Sequence, residues 1–347
     1  MVYAYHKNLN NILAILPKYE IPSNDVIITY NTNYSYDKYC ELKKLVYDEI
    51  CENKIPLYWS NQEIAYNVFF FLIYLGTWGY YFCNPSILTY WSMILLSSIT
   101  IGYNTLVFHE SSHYTGFKNQ KLNEFMSSYI AFPFSTPSSS NQWKNKHNYL
   151  HHCFTNTEYD ADFDRNKILL RHSNNHLHYI HHKLQFLYAS FLFLLNGYNR
   201  TIILYIKSKD YTSLLCHMFI YYWFGVINAL ILFGFVGFGY TFIANLSHIQ
   251  HDCIQINTEK KNDFLYNQVS SSMNYKTDDF ITRFICFGLD IQIEHHLFPN
   301  VPHSSLRRIK HIVREYCNKN DIPYIEKSSV FPTIYSYLRY LYRMGNP

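Results

Sequence analysis

The sequence predicts an all-α integral membrane protein: about four transmembrane helices in two hairpins, with a cytoplasmic helical domain that carries a histidine-rich metal site. Three observations predict it. Two apolar runs, 63–83 and 86–108, are separated only by Asn84-Pro85, and each is near the ~20 residues that cross a ~30 Å hydrocarbon core. A third run, Leu214 to Leu246, contains no Asp, Glu, Lys or Arg and fits two short spans, about 214–229 and 231–247, with a turn near Ala229–Leu232. Finally, the 18 histidines of this 347-residue chain gather in a few short strings.

Composition agrees with a membrane protein. Apolar residues make up 48% of the chain and charged ones only 16%, against roughly 25% in soluble domains. The mean hydropathy of −0.17 is lowered by 35 tyrosines and a polar second half, so local runs carry more information than the average. A net charge of +4 without an interleaved basic stripe argues against nucleic acid as a partner. The eight cysteines include no C-x-x-C pair and are expected to be reduced thiols.

Residues 1–60 are read as a cytoplasmic N-terminal segment, with no basic start leading into an apolar run and therefore no cleavable signal peptide expected. Leu42, Leu45, Val46 and Ile50 recur at helical spacing and predict a short amphipathic helix over about 37–53. Residues 61–347 form the membrane domain. The stretch 186–206, interrupted by Asn196, Asn199 and Arg200, reads as an interfacial or partly buried helix. Lys118, Lys144, Lys146, Arg165, Arg171 and Lys183 lie in the central loop, and further basic residues follow Lys260, whereas neither hairpin turn has any. The positive-inside tendency therefore puts both termini and the central loop in the cytoplasm. Glycines 225, 234, 237 and 239 read as close helix packing. Ser304 could cap a helix with apolar positions Leu306, Ile309, Ile312, Val313 and Tyr316.

The chemistry lies in the histidines. His109-Glu-Ser-Ser-His113 follows the second span, and its i,i+4 spacing lets both rings reach one metal from one helix face. His147-Asn-Tyr-Leu-His151-His152 repeats that spacing with one more ring alongside, Gln292-Ile-Glu-His295-His296 is the third string, and His248 closes the last span. One such pair at a membrane surface is commonplace, and H-E-x-x-H alone is also a zinc-protease motif with the glutamate as base. Three strings on one side of a membrane are a different matter, because ionisable clusters there mark function. Eight imidazoles are too many for one zinc and suit two metals with about four nitrogens each. Imidazole alone does not choose the metal.

The order and spacing resemble the integral-membrane fatty acid desaturases, whose boxes run H-x(3–4)-H, H-x(2–3)-H-H and [HQ]-x-x-H-H. Gln142-Trp143, Thr155-Asn156, Asp160, Asp162, the segment 292–299 reading Q-I-E-H-H-L-F-P, and Pro302-His303 extend the likeness, which covers about residues 60–330. Gln292 in place of a first histidine resembles the front-end branch. The resemblance implies two iron ions held by His109, His113, His147, His151, His152, His248, His295 and His296, with Gln292 as a nearby or weak ligand. It implies dioxygen as co-substrate and insertion of a cis double bond into a long acyl chain, presented as acyl-CoA or acyl-lipid. Residues 1–60 lack the His-Pro-Gly-Gly signature of a fused cytochrome b5 domain. Electrons are therefore expected from a separate cytochrome b5 with its reductase, or a ferredoxin, docked on Lys144, Lys146 or Arg171. The expected location is the endoplasmic reticulum or a bacterial inner membrane.

Some residues admit other readings. Asp290 stands where front-end relatives carry Asn and could accept from a ligand imidazole; His303 matches a family position beside the metals. His178-Tyr-Ile-His181-His182 is itself an H-x-x-H-H string, but it lacks the flanking residues, so the 172–182 cluster reads as a solvated or interfacial face. His251 is expected at the surface. Histidine-box hydroxylases, carotenoid ketolases and sphingolipid-modifying oxygenases share such boxes. A zinc protease on His109-Glu110-x-x-His113 and a non-catalytic lipid binder are the remaining alternatives.

Overall fold

The computed structural model describes residues 34–131, 139–157, 160, 168–174, 176–196, 206, 208–253 and 263–347. His6, Asp162, Arg165, Asn199, Arg200 and Lys260 lie outside them. The described residues are mostly helical: α1 Asp37–Glu52, α2 Asn61–Cys83, α3 Ile87–Ser112, α4 Gln120–Phe125, α5 Ser140–Lys144, α6 Gln185–Asn196, α7 Tyr211–Phe224, α8 Val226–His248, α9 Phe264–Ser270, α10 Phe280–Ile285, α11 Gln292–Leu297, α12 His303–Lys319 and α13 Val330–Gly345. Two-residue strands β1 (Asn274–Tyr275) and β2 (Glu326–Lys327) pair in parallel.

α2 and α3 form the first hairpin. Ser60 and Glu63 make a capping box at the start of α2, Ser86 and Thr89 make one at the start of α3, and Asn84-Pro85 turns the chain between them. Within the hairpin Trp78 Nε1 donates to Ser97 Oγ at 2.8 Å. Tyr74, Trp78, Met93 and Ile94 then pack against Ile220, Phe224, Leu232 and Phe233 of α7 and α8.

The second hairpin turns elsewhere than expected. The chain breaks at Gly225, with φ +76°, not near Ala229–Leu232. A side chain at that φ would be strained, so Gly225 is a turn residue and not a packing one. The helices it joins have 14 and 23 residues. Among the described residues, α8 is the one helix both long and apolar enough to cross a membrane, with mean hydropathy 2.0 over its best window.

On the polar side, α1, α9, α11 and α12 share one core. Tyr39, Leu42, Val46 and Ile50 meet Phe264, Leu297, Phe298, Leu306 and Val313 there. Leu45, expected inward, is 48% exposed, and Tyr39 takes the inner position, with its hydroxyl donating to Leu297 O at 2.8 Å. α12 has no side-chain cap of its own, so Ser304 does not cap it; Glu110 from α3 accepts the His303 N–H at 2.6 Å instead. β1 sets the third histidine string: Asn274 Oδ1 accepts from Ile293 N, and its Nδ2 donates to Glu294 Oε2 at 2.7 Å.

The 172–182 histidines are only partly a solvated face: His178 and His181 are exposed, and His172 and His176 are half-buried. His182 is fully buried and bonds Ile168 O, as does His181, while His178 meets Gly345 O at 2.8 Å. They help seat α13 on the turn at 180–184. Arg171, expected on a docking face, is buried, and its guanidinium donates to the carbonyls of Met344, His176 and Asn174. Lys144 is likewise turned inward, donating to Ser128 Oγ at 2.8 Å.

Candidate metal centre

The eight predicted histidines all converge and are all buried, none more than 4% exposed. They divide five and three, not four and four. His109, His113, His147, His152 and His295 form one group, and His151, His248 and His296 the other, with the potential ligand atoms of each group within 4.8 Å of one another.

The division follows from local backbone. His109 and His113 close α3 one turn apart and reach the same group, as i,i+4 spacing predicts. The second string does not follow that rule, because residues 145–151 form a π-helical turn. Its i→i+5 bonding widens the turn, so His147 shares a group with His152, while His151 faces the other group. His295 and His296 on α11 likewise diverge, one ring to each group. Adjacent residues on a helix point about 100° apart, so a His-His pair naturally serves two neighbouring sites.

In the group of three, every outer nitrogen has an acceptor. His151 Nδ1 lies 3.0 Å from Asp160 Oδ2, His248 Nδ1 is 3.1 Å from Ser271 O, and His296 Nδ1 is 3.2 Å from Gln268 Oε1. Such partners fix the Nδ1–H tautomer and leave Nε2 basic for a metal. Asn156 ties the layer together, donating through its side chain to His248 O and Ser271 O and through its amide to Asp160. Gln268 also donates to His152 O at 3.0 Å.

In the group of five, His147 Nε2 lies 2.9 Å from His109 Nε2 and 3.2 Å from His152 Nε2. Burial first, and then the neighbouring imidazoles, push His109, His113, His152, His295 and His296 well below the ordinary imidazole range. Neutral rings are the form that binds metals. Both ring nitrogens of His295, and Nε2 of His296, are buried without a hydrogen-bond partner. An unsatisfied buried polar group costs about 1–3 kcal/mol, and a bound cation removes that cost. The donor set therefore fits two borderline first-row metal ions, iron included.

Gln292 stands at the head of α11, buried, with Oε1 lacking a hydrogen-bond partner, which leaves its oxygen available beside the histidines. His303 is not in either group. Its ring stacks on His295 with centroids 4.8 Å apart, and its Nδ1 bonds Glu110 Oε1 at 2.9 Å. Asp290, expected to accept from an imidazole, is instead held bidentately by Arg307 at 2.8 Å for each oxygen. The guanidinium fork matches a carboxylate better than one ring nitrogen does. His251 is exposed as expected.

Glu110 serves differently from a protease base. Both its oxygens are taken, by the His303 amide and ring and by Trp59 Nε1. Burial alone would raise its pKa, but the bonds from His303 and Trp59 outweigh that and hold it below the usual carboxylate value. Sequence reasoning missed Trp59, Gln268 and this role of Glu110. A lone Trp or Gln carries no spacing signal, and Glu110 was hidden inside a familiar motif.

The family model for fatty acid desaturases matches residues 85–328. A fatty acid desaturase 2-like protein of Mus musculus is 24% identical over 63% of this chain and 49% of its own length. An acyl-lipid (9-3)-desaturase of Borago officinalis is 24% identical over 82% of this chain and 70% of its own. A delta(5) fatty acid desaturase of Dictyostelium discoideum is 23% identical over 99% and 82%. The chain thus spans about half the length of the mouse relative and more of the other two. No solved structure matches it. With a match over residues 85–328 that contains all three histidine strings and His248, the chain belongs to the fatty acid desaturase family.

Proposed function

We propose that this protein is an O2-dependent acyl desaturase that places a cis double bond in a long acyl chain, using two iron ions held by the five-histidine and three-histidine groups. The carrying observation is the convergence of eight buried imidazoles into two adjacent groups. Irons bound there supply the activation of dioxygen that an unactivated C–H bond demands. The overall change removes two hydrogens from adjacent methylenes; with two electrons and two protons from outside, they reduce O2 to two waters.

The protein's own part is positional. Asp160, Ser271 and Gln268 hold the rings of the three-histidine group from outside. Burial keeps water from the oxidising site, and Glu110 locks α3 to α12 across it. Its engaged carboxylate has no free oxygen for the general-base role that a zinc protease would need.

The membrane reading has support in the packing. Leu72 on α2, Leu88 and Leu95 on α3, Leu215 and Tyr222 on α7, and Ile227 on α8 are 60% to 84% exposed. An apolar collar of that extent suits lipid and not water. We read α2, α3, α7 and α8 as four spans in two hairpins, with residues 1–60 and the histidine-bearing helices on the cytoplasmic side of the endoplasmic reticulum or a bacterial inner membrane. The substrate is an acyl-lipid or acyl-CoA, and a separate cytochrome b5 with its reductase, or a ferredoxin, supplies electrons.

The test is lipid analysis of a host expressing the wild type beside a His295→Ala/His296→Ala control. New cis double bonds, absent from the control, are expected. A hydroxyl product would assign a related oxygenase instead. Unchanged lipids, with oxygen and a donor supplied, would overturn the reading.

A further inference from the structure

A cavity of about 410 Å³ lies beside the metal centre, between the start of α2, the end of α3, the α10 segment and the head of α12. Ligand pockets run from ~300 to 1,000 Å³, so it accommodates part of a lipid and not a whole one. Its floor is Glu110 and His303, 5% and 3% exposed. The His303 Nε2 has no hydrogen-bond partner, and its ring is the one stacked on His295. The walls are apolar and aromatic: Tyr66, Tyr103, Phe284 and Phe287.

The mouth is of another character. Arg283 and Phe280 there are exposed, and Phe280 with its neighbour Ile281 is 68% and 65% exposed. Apolar side chains projecting at the level where α2 begins are what an interfacial helix places in the headgroup zone. The Arg283 guanidinium makes no ion pair among the described residues, and the acid on the same rim, Glu63, is bound to the Ser60 amide and hydroxyl, each at 2.8 Å. One cation above a greasy cleft that ends at His303, whose ring stacks on the metal-binding His295, matches an amphiphile with an anionic head.

We propose that this cavity admits the substrate sideways from the bilayer, with Arg283 holding the phosphate of a phospholipid and the acyl chain running along Tyr103 and Phe284 toward His303. This rests on the acyl-desaturase reading and narrows it to a lipid-linked substrate. A phosphate is also offered by acyl-CoA, which comes from the aqueous side. The exposed Phe280 and Ile281 beside the mouth favour entry from lipid.

The test is binding and needs neither oxygen nor an electron donor. Radiolabelled dioleoyl phosphatidylglycerol is titrated into the purified full-length chain in nonionic detergent, with oleoyl-CoA as competitor. Loss of a charge-assisted contact predicts about tenfold weaker binding for Arg283→Glu and near wild-type binding for Arg283→Lys. Leu106 also lines the cavity, and Leu106→Trp, which fills it, removes saturable binding. Arg283 is at the surface, so its variants fold, and metal content confirms it. Equal binding by wild type and Arg283→Glu overturns the proposal, as does saturable binding of oleoyl-CoA without the phospholipid. Arg283-dependent binding in a protein that leaves host lipids unchanged would keep the site and sink the desaturase reading alone.

Discussion

Asp160 and Glu110 are both buried carboxylates near the centre, and they do different work. Asp160 orients a ring, and replacing it by Asn leaves the shape but removes the charge that makes His151 a better donor. Partners of this kind contribute roughly 10–100-fold to metal affinity. Asp160→Asn should therefore lose metal first from the three-histidine group, seen as faster removal of one of two ions by a chelator. Glu110 orients no ligand directly; it joins Trp59, α3 and the head of α12 through buried bonds. Truncating one member of a buried charged network costs about 3 kcal/mol, so Glu110→Ala should lower Tm by several degrees while an Asp160 variant stays near wild type in thermal unfolding. A similar Tm for both variants would refute this division of labour.

Helices and turns decide which residues meet. The apolar runs, the Asn84-Pro85 turn and the α12 stripe were legible because periodicity and Pro/Gly punctuation are written in consecutive residues. The pairing of His147 with His152 was not, because a π turn has no spacing signature distinct from an α-helix. Gly225 was visible but ambiguous, since a glycine in an apolar run serves packing or turning equally well. α13 gives a sharper case: a Cβ on Gly345 would sit 2.0 Å from His182 O. Gly345→Ala should detach the end of α13 and raise proteolytic cleavage near the C-terminus; unchanged protection would contradict the contact. Asp210 caps α7, accepting from Ser139 Oγ and Ser140 Oγ at 2.9 Å and from Ser213 N at 3.2 Å. Burial alone would raise its pKa, but these bonds bring it below its ordinary 3.8. A depressed folded-state pKa contributes stability that is fully present above the unfolded value and lost as pH falls through the folded one. Asp210→Asn should thus be less stable than wild type at pH 7, with the gap closing below about pH 4. A gap that persists in acid would assign the effect to packing.

At the scale of the molecule, an apolar collar and a buried histidine core are joined through α3 and α8, whose polar ends carry His109, His113 and His248. On the proposed reading, that union would put the oxidising site next to the bilayer that holds its substrate. All eight predicted ligands meet. The partition follows from the π turn at 145–151 and the adjacent His295-His296 pair, whereas the outer hydrogen bonds come from tertiary neighbours that carry no spacing signal, Ser271 on the His248 ring and Gln268 on the His296 ring and the distant His152 carbonyl. On the proposed reading these histidines hold two metal ions in unequal groups. Metal analysis of the purified full-length chain tests it most directly, comparing wild type with His248→Ala. Two irons per chain in the wild type, and one in the variant with the five-histidine group still filled, is the result expected. A single zinc per chain, unaffected by His248→Ala, would contradict the account.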